Sequence, residues 1–360
     1  MKSVYIHIPF CNEICTYCDF CKMYYDKNII NNYLDALEKE IKDRYKGETI
    51  KTIYIGGGTP NILNILELNK LFKIIDIFNK DKLEEYTIEC NVELLDKEKL
   101  ILFKEKGINR LSLGIQSFND KILTILGRKH NKNEVFDKIK LSKEIGFNNI
   151  NIDLIYGIKD QSIETLKKDL DLFLRLDINH ISLYSLIIEP NTMLYINKYR
   201  EIDESLNKEM YDYICNILDE NNYKHYEISN YSKEGYKSLH NLVYWHNEEY
   251  YGFGLGASSY IDNERFDNTR NIFKYIEGNY ILNKEILTKR QTMEYEMILG
   301  LRLIEGVNKD LFYQKYGEYI EDVFDIKELI DNKLLIDNNG YIYIPKDKLF
   351  IQNEILINFI

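Results

Sequence analysis

Two hydrophobic periods alternate along the first half of the chain. Short apolar runs rich in β-branched and aromatic residues, at Val4–Ile8, Thr52–Ile55, Tyr86–Cys90, Arg110–Gly114, Asn149–Leu154 and His180–Leu186, read as strands. Between them, segments of helical period fall near Ile29–Tyr45, Ile65–Phe78, Lys97–Lys106, Asn133–Ile145 and Ser162–Leu176. Regular alternation of this kind predicts six βα units, hence an α/β fold with a parallel sheet and helices outside. Such sheets carry their chemistry where the strands end. Here those ends are polar: Gly56-Gly57-Gly58-Thr59-Pro60, Glu89-Cys90-Asn91, Gly114-Ile115-Gln116-Ser117, Asp153, and Tyr184-Ser185-Leu186-Ile187.

The last third of the chain has another rhythm. Met293–Leu303 reads as a helix stopped by Glu305-Gly306, helices follow near Lys309–Tyr316 and Ile326–Asn332, and Leu334–Ile344 reads as a hairpin turning at Asn338-Asn339-Gly340. The pattern divides the chain into residues 1–235, a middle segment 236–289, and a small carboxy-terminal domain 290–360.

Composition narrows the function classes. A formal net charge of −11 with no local basic patch argues against nucleic acid and anionic membrane surfaces as partners. No apolar stretch approaches the roughly 18 residues of a membrane helix, and Met1-Lys2-Ser3-Val4 runs straight into a strand pattern rather than a signal peptide. The six cysteines form no spaced disulfide framework, so a cytoplasmic location is expected.

Three of those cysteines carry the chemistry. Cys11, Cys15 and Cys18, in C-N-E-I-C-T-Y-C after the first strand, place three thiolates on one short loop. A four-iron cubane held by only three thiolates keeps one iron open to a small molecule. Structural zinc is the alternative, but it needs four closed ligands, and no fourth Cys or His follows at knuckle spacing. Three successive glycines at 56–58 remove every Cβ at a strand's mouth and let backbone groups approach a ligand. Glu89 and Asp153 can accept from an ammonium or from hydroxyls, Gln116 can both donate and accept, and Arg128 can pair bidentately with a carboxylate. Each alone is more often a turn or a solvated charge; their convergence on one mouth is what points to a site.

With these residues in place, the sequence resembles the HemN/HemW branch of radical S-adenosylmethionine (SAM) proteins over essentially its whole length. The resemblance rests on Tyr5-Ile6-His7-Ile8-Pro9-Phe10-Cys11, the cysteine loop, Gly56–Pro60, Gly114-Ile115-Gln116-Ser117-Phe118, Asp153-Leu154-Ile155-Tyr156-Gly157, and Gly254-Leu255-Gly256-Ala257-Ser258-Ser259. It implies a partial (β/α)6 TIM-like barrel with a small winged-helix-like α+β carboxy-terminal domain. It implies a [4Fe-4S] cluster on Cys11, Cys15 and Cys18, with SAM on the open iron. SAM contacts would come from Tyr5, Tyr17, Gly57, Gly58, Thr59, Glu89, Gln116, Arg128, Asp153 and Ile187.

Two features place the chain within the branch. Dehydrogenases of the HemN type have a fourth cysteine two residues after the third; that position here is Phe20, and Cys21 lies one residue too late. His240-Asn241-Leu242-Val243-Tyr244-Trp245 matches the H-N-x-x-Y-W motif tied in HemW-like proteins to haem handling, so His240, Asn241, Tyr244 and Trp245 are candidate haem residues. A bland reading stands beside it, in which His240 satisfies a loop and the only Trp is core. The resemblance implies a haem chaperone with haem as cargo, an acceptor apo-haemoprotein as partner and a homodimer as an assembly. A radical SAM enzyme acting on a tetrapyrrole, such as an oxygen-independent coproporphyrinogen III dehydrogenase, is the alternative. The chain departs from the branch at Gly157-Ile158-Lys159, where Gly-Leu-Pro is usual, and in lacking a late Gly at Lys346–Phe350.

Overall fold

The computed structural model describes the whole chain, Met1–Ile360. All six expected strands form: β1 (Lys2–Ile8), β2 (Ile50–Gly57), β3 (Glu85–Asn91), β4 (Arg110–Gln116), β5 (Asn149–Tyr156) and β6 (His180–Ser185). They lie side by side in chain order, each pair parallel. The helices between them are α1 (Lys27–Arg44), α2 (Ile65–Ile75), α3 (Lys97–Glu105), α4 (Asp120–Leu126), α5 (Lys132–Ile145) and α6 (Ile163–Leu176). Their boundaries are set by local chemistry. Asn64 and Asn131 each close a capping box, with Glu67 and Glu134 as the reciprocal partners, and Gly127 and Gly146 end α4 and α5 in left-handed backbone.

Beyond β6 the structure adds elements that the period reading did not assign: α7 (Glu204–Glu220), β7 (Lys224–Glu227), β8 (Asn230–Ser232), α8 (Leu239–Trp245), β9 (Tyr250–Phe253), β10 (Ser258–Ile261), β11 (Glu264–Asn268) and β12 (Ile281–Ile286). The sheet order is β12-β11-β10-β9-β1-β2-β3-β4-β5-β6-β8-β7, so the barrel is open rather than closed. Residues 236–289 therefore continue the same sheet, with β9 pairing in parallel with β1. All six residues of the outermost strand, β12, are exposed.

Alternation within the barrel strands sorts residues by polarity. One set, including Val4, Ile6, Ile53, Ile55, Leu111, Leu113, Ile150, Ile152, Ile181 and Leu183, joins the helices in the main apolar core. The other set turns inward and is polar: Tyr54, Glu89, Arg110, Ser112, Asn151, Asp153 and Ser182 line a common interior cavity. A stacked-sheet core would be apolar on this side; a barrel with polar walls is built to hold something that hydrogen-bonds.

The carboxy-terminal domain begins at α9 (Lys289–Gly300). It continues through β13 (Val307–Asn308), α10 (Lys309–Tyr316), α11 (Lys327–Asp331), β14 (Ile336–Asn338) and β15 (Tyr341–Tyr343). The hairpin turns at Asn339-Gly340, and β15 lies between β13 and β14. Its apolar core is separate from that of the barrel.

Candidate functional site

Three cavities meet at the carboxyl ends of the barrel strands, and Phe20 and Glu89 border all three. The first, about 140 Å³, contains the cysteine loop. This loop is tied down at both ends: the Met23 N–H donates to the Pro9 carbonyl at 2.8 Å and the Tyr25 N–H to the Cys11 carbonyl at 2.9 Å. Cys11, Cys15 and Cys18 all face the cavity. No three His, Cys, Asp or Glu side chains converge closely enough to hold a single metal ion, so a mononuclear site such as structural zinc is not formed here. A Cβ on Gly58 would stand 3.0 Å from Cys11 Sγ and 2.8 Å from the Phe10 carbonyl oxygen, so only glycine keeps this wall open. The Thr59 hydroxyl donates to Cys11 Sγ at 3.5 Å, and Arg128 Nη1 lies 3.9 Å from Cys15 Sγ. Burial pushes the Cys11 thiol up to about 11, which disfavours a free thiolate there. An iron cluster would remove that penalty by ligating the sulfur, and the residues present fit one.

The second cavity, about 280 Å³, is the barrel interior, and Tyr17, Gln116, Asp153 and Ile187 also border it. Glu89 accepts from the Tyr54 hydroxyl at 2.7 Å and from the Gly57 N–H at 2.9 Å, while burial raises its carboxyl to about 7. Burial also raises Asp153, opposed by hydrogen bonds that include the Asn151 amide at 2.8 Å. Gln116 is held at φ +67°, beside an irregularity in the β4–β5 register that re-aims its side chain into the mouth. Arg128 is buried; its Nη1 donates to Asn91 Oδ1 at 2.9 Å, its Nη2 to the Gly114 carbonyl at 2.7 Å, and Glu93 lies 3.5 Å away. Its donors thus brace the thiol cavity from behind, and the free two-pronged face expected from the sequence is already engaged.

The third cavity, about 380 Å³, is lined by Tyr5, His240, Asn241 and Tyr244. His240 is buried, stacked on Tyr54 with ring centroids 5.2 Å apart. Its Nδ1 meets the Thr52 hydroxyl at 2.7 Å and its Nε2 the Tyr244 hydroxyl at 2.8 Å; burial lowers it to about 3, keeping the ring neutral. Ligation of a haem iron by His240 requires breaking one of these bonds. Trp245 does not share the cavity. One residue further round α8, it faces the buried Glu227 carboxyl, and the Arg302 guanidinium lies 5.9 Å from its ring centroid. All other candidate residues line the three cavities.

Asn91 and Tyr184, named only as parts of polar strand ends, also line these cavities, and the sequence reading missed Tyr54, Arg110 and Arg270, which line them too. For the strand residues the signal was present as polar residues at alternate positions inside apolar runs; for Arg270, which sits in a loop, there was none.

Residues 5–173 match the family described as "Radical SAM superfamily", and residues 287–347 match "HemN C-terminal domain". The chain is 38% identical to "Heme chaperone HemW" of Lactococcus lactis subsp. lactis (strain IL1403), covering 100% of this chain and 97% of that protein. It is likewise 38% identical to "Heme chaperone HemW" of Bacillus subtilis (strain 168), over 100% of this chain and 99% of that one. Among solved structures, the fold superposes on coproporphyrinogen III oxidase (HemN) from Escherichia coli with a TM-score of 0.88, covering 99% of this chain and 89% of that one at 22% identity. The chain belongs to the HemW family of the radical SAM superfamily.

Proposed function

We propose that this protein is a haem chaperone: it binds haem at the cavity bordered by His240, Asn241 and Tyr244 and passes it to an acceptor apo-haemoprotein in the cytoplasm. The observation that carries the reading is the meeting of cavities. The thiol cavity and the His240 cavity share Phe20 and Glu89 as walls, so the proposed haem site would lie directly beside the cluster loop. Cys11, Cys15 and Cys18 would hold a [4Fe-4S] cluster, whose open iron would chelate SAM. Glu89 and Asp153 would accept from SAM's hydroxyl or ammonium groups, Gln116 would bridge donor and acceptor, and Gly57, Gly58 and Thr59 would admit it edge-on. Tyr5, Tyr17 and Ile187 would supply apolar walls. Arg128, beside Cys15, would offset the negative charge of the thiolates. Phe20, where dehydrogenases of the branch have a fourth cysteine, is 69% exposed and offers an apolar surface at the mouth in place of a thiol. His240 holds Tyr244 in position, and Trp245 serves the junction with the carboxy-terminal domain. No helix is long and apolar enough to cross a membrane. The exposed outer strand β12 supports a second copy of the chain as a partner, since its unpaired edge can accept another strand.

The test is direct. Haem added to the reconstituted protein should bind stoichiometrically with a shifted Soret band. Coproporphyrinogen incubated with SAM and reductant should give no protoporphyrinogen above a cluster-free control. Cys11→Ala, Cys15→Ala and Cys18→Ala should each abolish cluster iron; Cys21→Ala should not, because Cys21 borders the His240 cavity instead. Sustained SAM-dependent oxidation of coproporphyrinogen would replace the chaperone reading with the enzyme.

A further inference from the structure

The turn Gly254-Leu255-Gly256-Ala257-Ser258, between β9 and β10, has no part in the reading above, yet Gly256, Ala257 and Ser258 line the 380 Å³ cavity. Gly256 has φ +69°, and a Cβ there would lie 2.6 Å from Cys21 Cβ. The chain therefore passes flush against the cysteine loop, and the two residues that follow add only a methyl and a hydroxymethyl group. Much of the remaining lining is aromatic, including Tyr54, Tyr184, Tyr244 and Tyr250. Small residues meeting rings make a slot with shallow relief, which suits a flat ligand better than a branched one.

Charge gives the slot a direction. Glu89 lies among its lining residues and offers an anion no positive partner. Arg270 also lines the slot but is exposed. The arginines of this chain that form ion pairs are Arg44, Arg128, Arg175 and Arg290; Arg270 is not one of them. An unpaired guanidinium beside an aromatic slot, in a chain of net charge −11, is placed to meet a carboxylate at the edge of a planar ligand.

We infer that Arg270 is the propionate-binding residue of the slot, so that haem enters edge-on with its carboxylates outward and its apolar edge toward Tyr54. This rests on the haem reading above. Esterified haem, which lacks the two carboxylates but keeps the ring and iron, separates the two claims. In Soret titrations in dilute detergent, the native protein should bind haem roughly 10- to 100-fold more tightly than haem dimethyl ester, the span of one charge-assisted hydrogen bond. Arg270→Gln should bind both with the affinity of the ester, and Arg270→Lys should restore part of the preference. Because Arg270 is exposed, neither variant threatens the fold. Equal affinity of the native protein for both ligands, or a preference that survives in Arg270→Gln, would overturn the role of Arg270 and leave haem binding standing. Failure of the native protein to bind either ligand would overturn both.

Discussion

Glu89 is pulled in two directions. Tyr54 and the Gly57 N–H favour its charged form, while burial disfavours it more strongly, so its carboxyl rises from an ordinary value near 4.5 to about 7. The folded chain thus prefers Glu89 protonated. Its contribution to stability is complete below pH 4.5 and is lost as pH rises through 7, a difference of roughly 3 kcal/mol in full. Glu89→Gln should accordingly raise the melting temperature of the ligand-free protein at pH 8 and change it little at pH 5, while weakening SAM binding at both. A stability gain of equal size at the two pH values would show that Glu89 does not titrate in this range. A cationic ligand such as SAM reverses the preference, since it needs the carboxylate charged.

Among the elements, α8 best shows how the site is mounted. Seven residues make a marginal helix, so something must hold its start. Ser238 caps it, and Glu85, the first residue of β3, accepts from the Leu239 N–H at 2.9 Å and the His240 N–H at 3.0 Å. A carboxylate against these free N–H groups also complements the helix dipole. Glu85→Ala should cost about 2–3 kcal/mol in urea unfolding, and Glu85→Gln less, with haem affinity falling more than SAM affinity because Asn241 and Tyr244 ride on α8. This bracing could not be read from the sequence: Glu85 and His240 are 155 positions apart, and neither periodicity nor capping rules connect them. The six βα strands were legible because their apolar faces repeat at period two. Helix α7 was also legible, since Leu206, Met210, Ile214 and Leu218 fall at helical spacing behind the cap Asp203. Strands β9–β12 gave no clear signal because they are short and mix charged and polar residues with apolar ones, and because β12 is exposed throughout.

At the scale of the molecule, the open sheet has two ends with different fates. Strand β12 leaves one edge bare. The other edge, β7, is covered by the carboxy-terminal domain. The Ile304 N–H donates to the Tyr226 carbonyl and the Ile228 N–H to the Arg302 carbonyl, each at 3.1 Å, and Glu227 pairs with Leu303. The domain's own core has 16 buried residues against 58 in the barrel, too few to expect much independent stability, so this seam is part of what keeps it folded. Arg302→Ala should loosen the seam while leaving the barrel intact. Trp245 stands at this seam beside Arg302, and it is the chain's single tryptophan. Its emission is therefore a label-free gauge of domain docking: in urea, the native protein should lose indole fluorescence and circular dichroism together, whereas Arg302→Ala should shift red at lower urea than the dichroism changes. Coincident transitions in the variant would mean that the seam and the barrel melt as one. The same indole, one residue beyond Tyr244 but outside the slot, lies near enough to the proposed cargo for energy transfer. A fluorimeter could then follow haem arriving at one face of α8 and the domain letting go at the other, in one sample and from one chromophore.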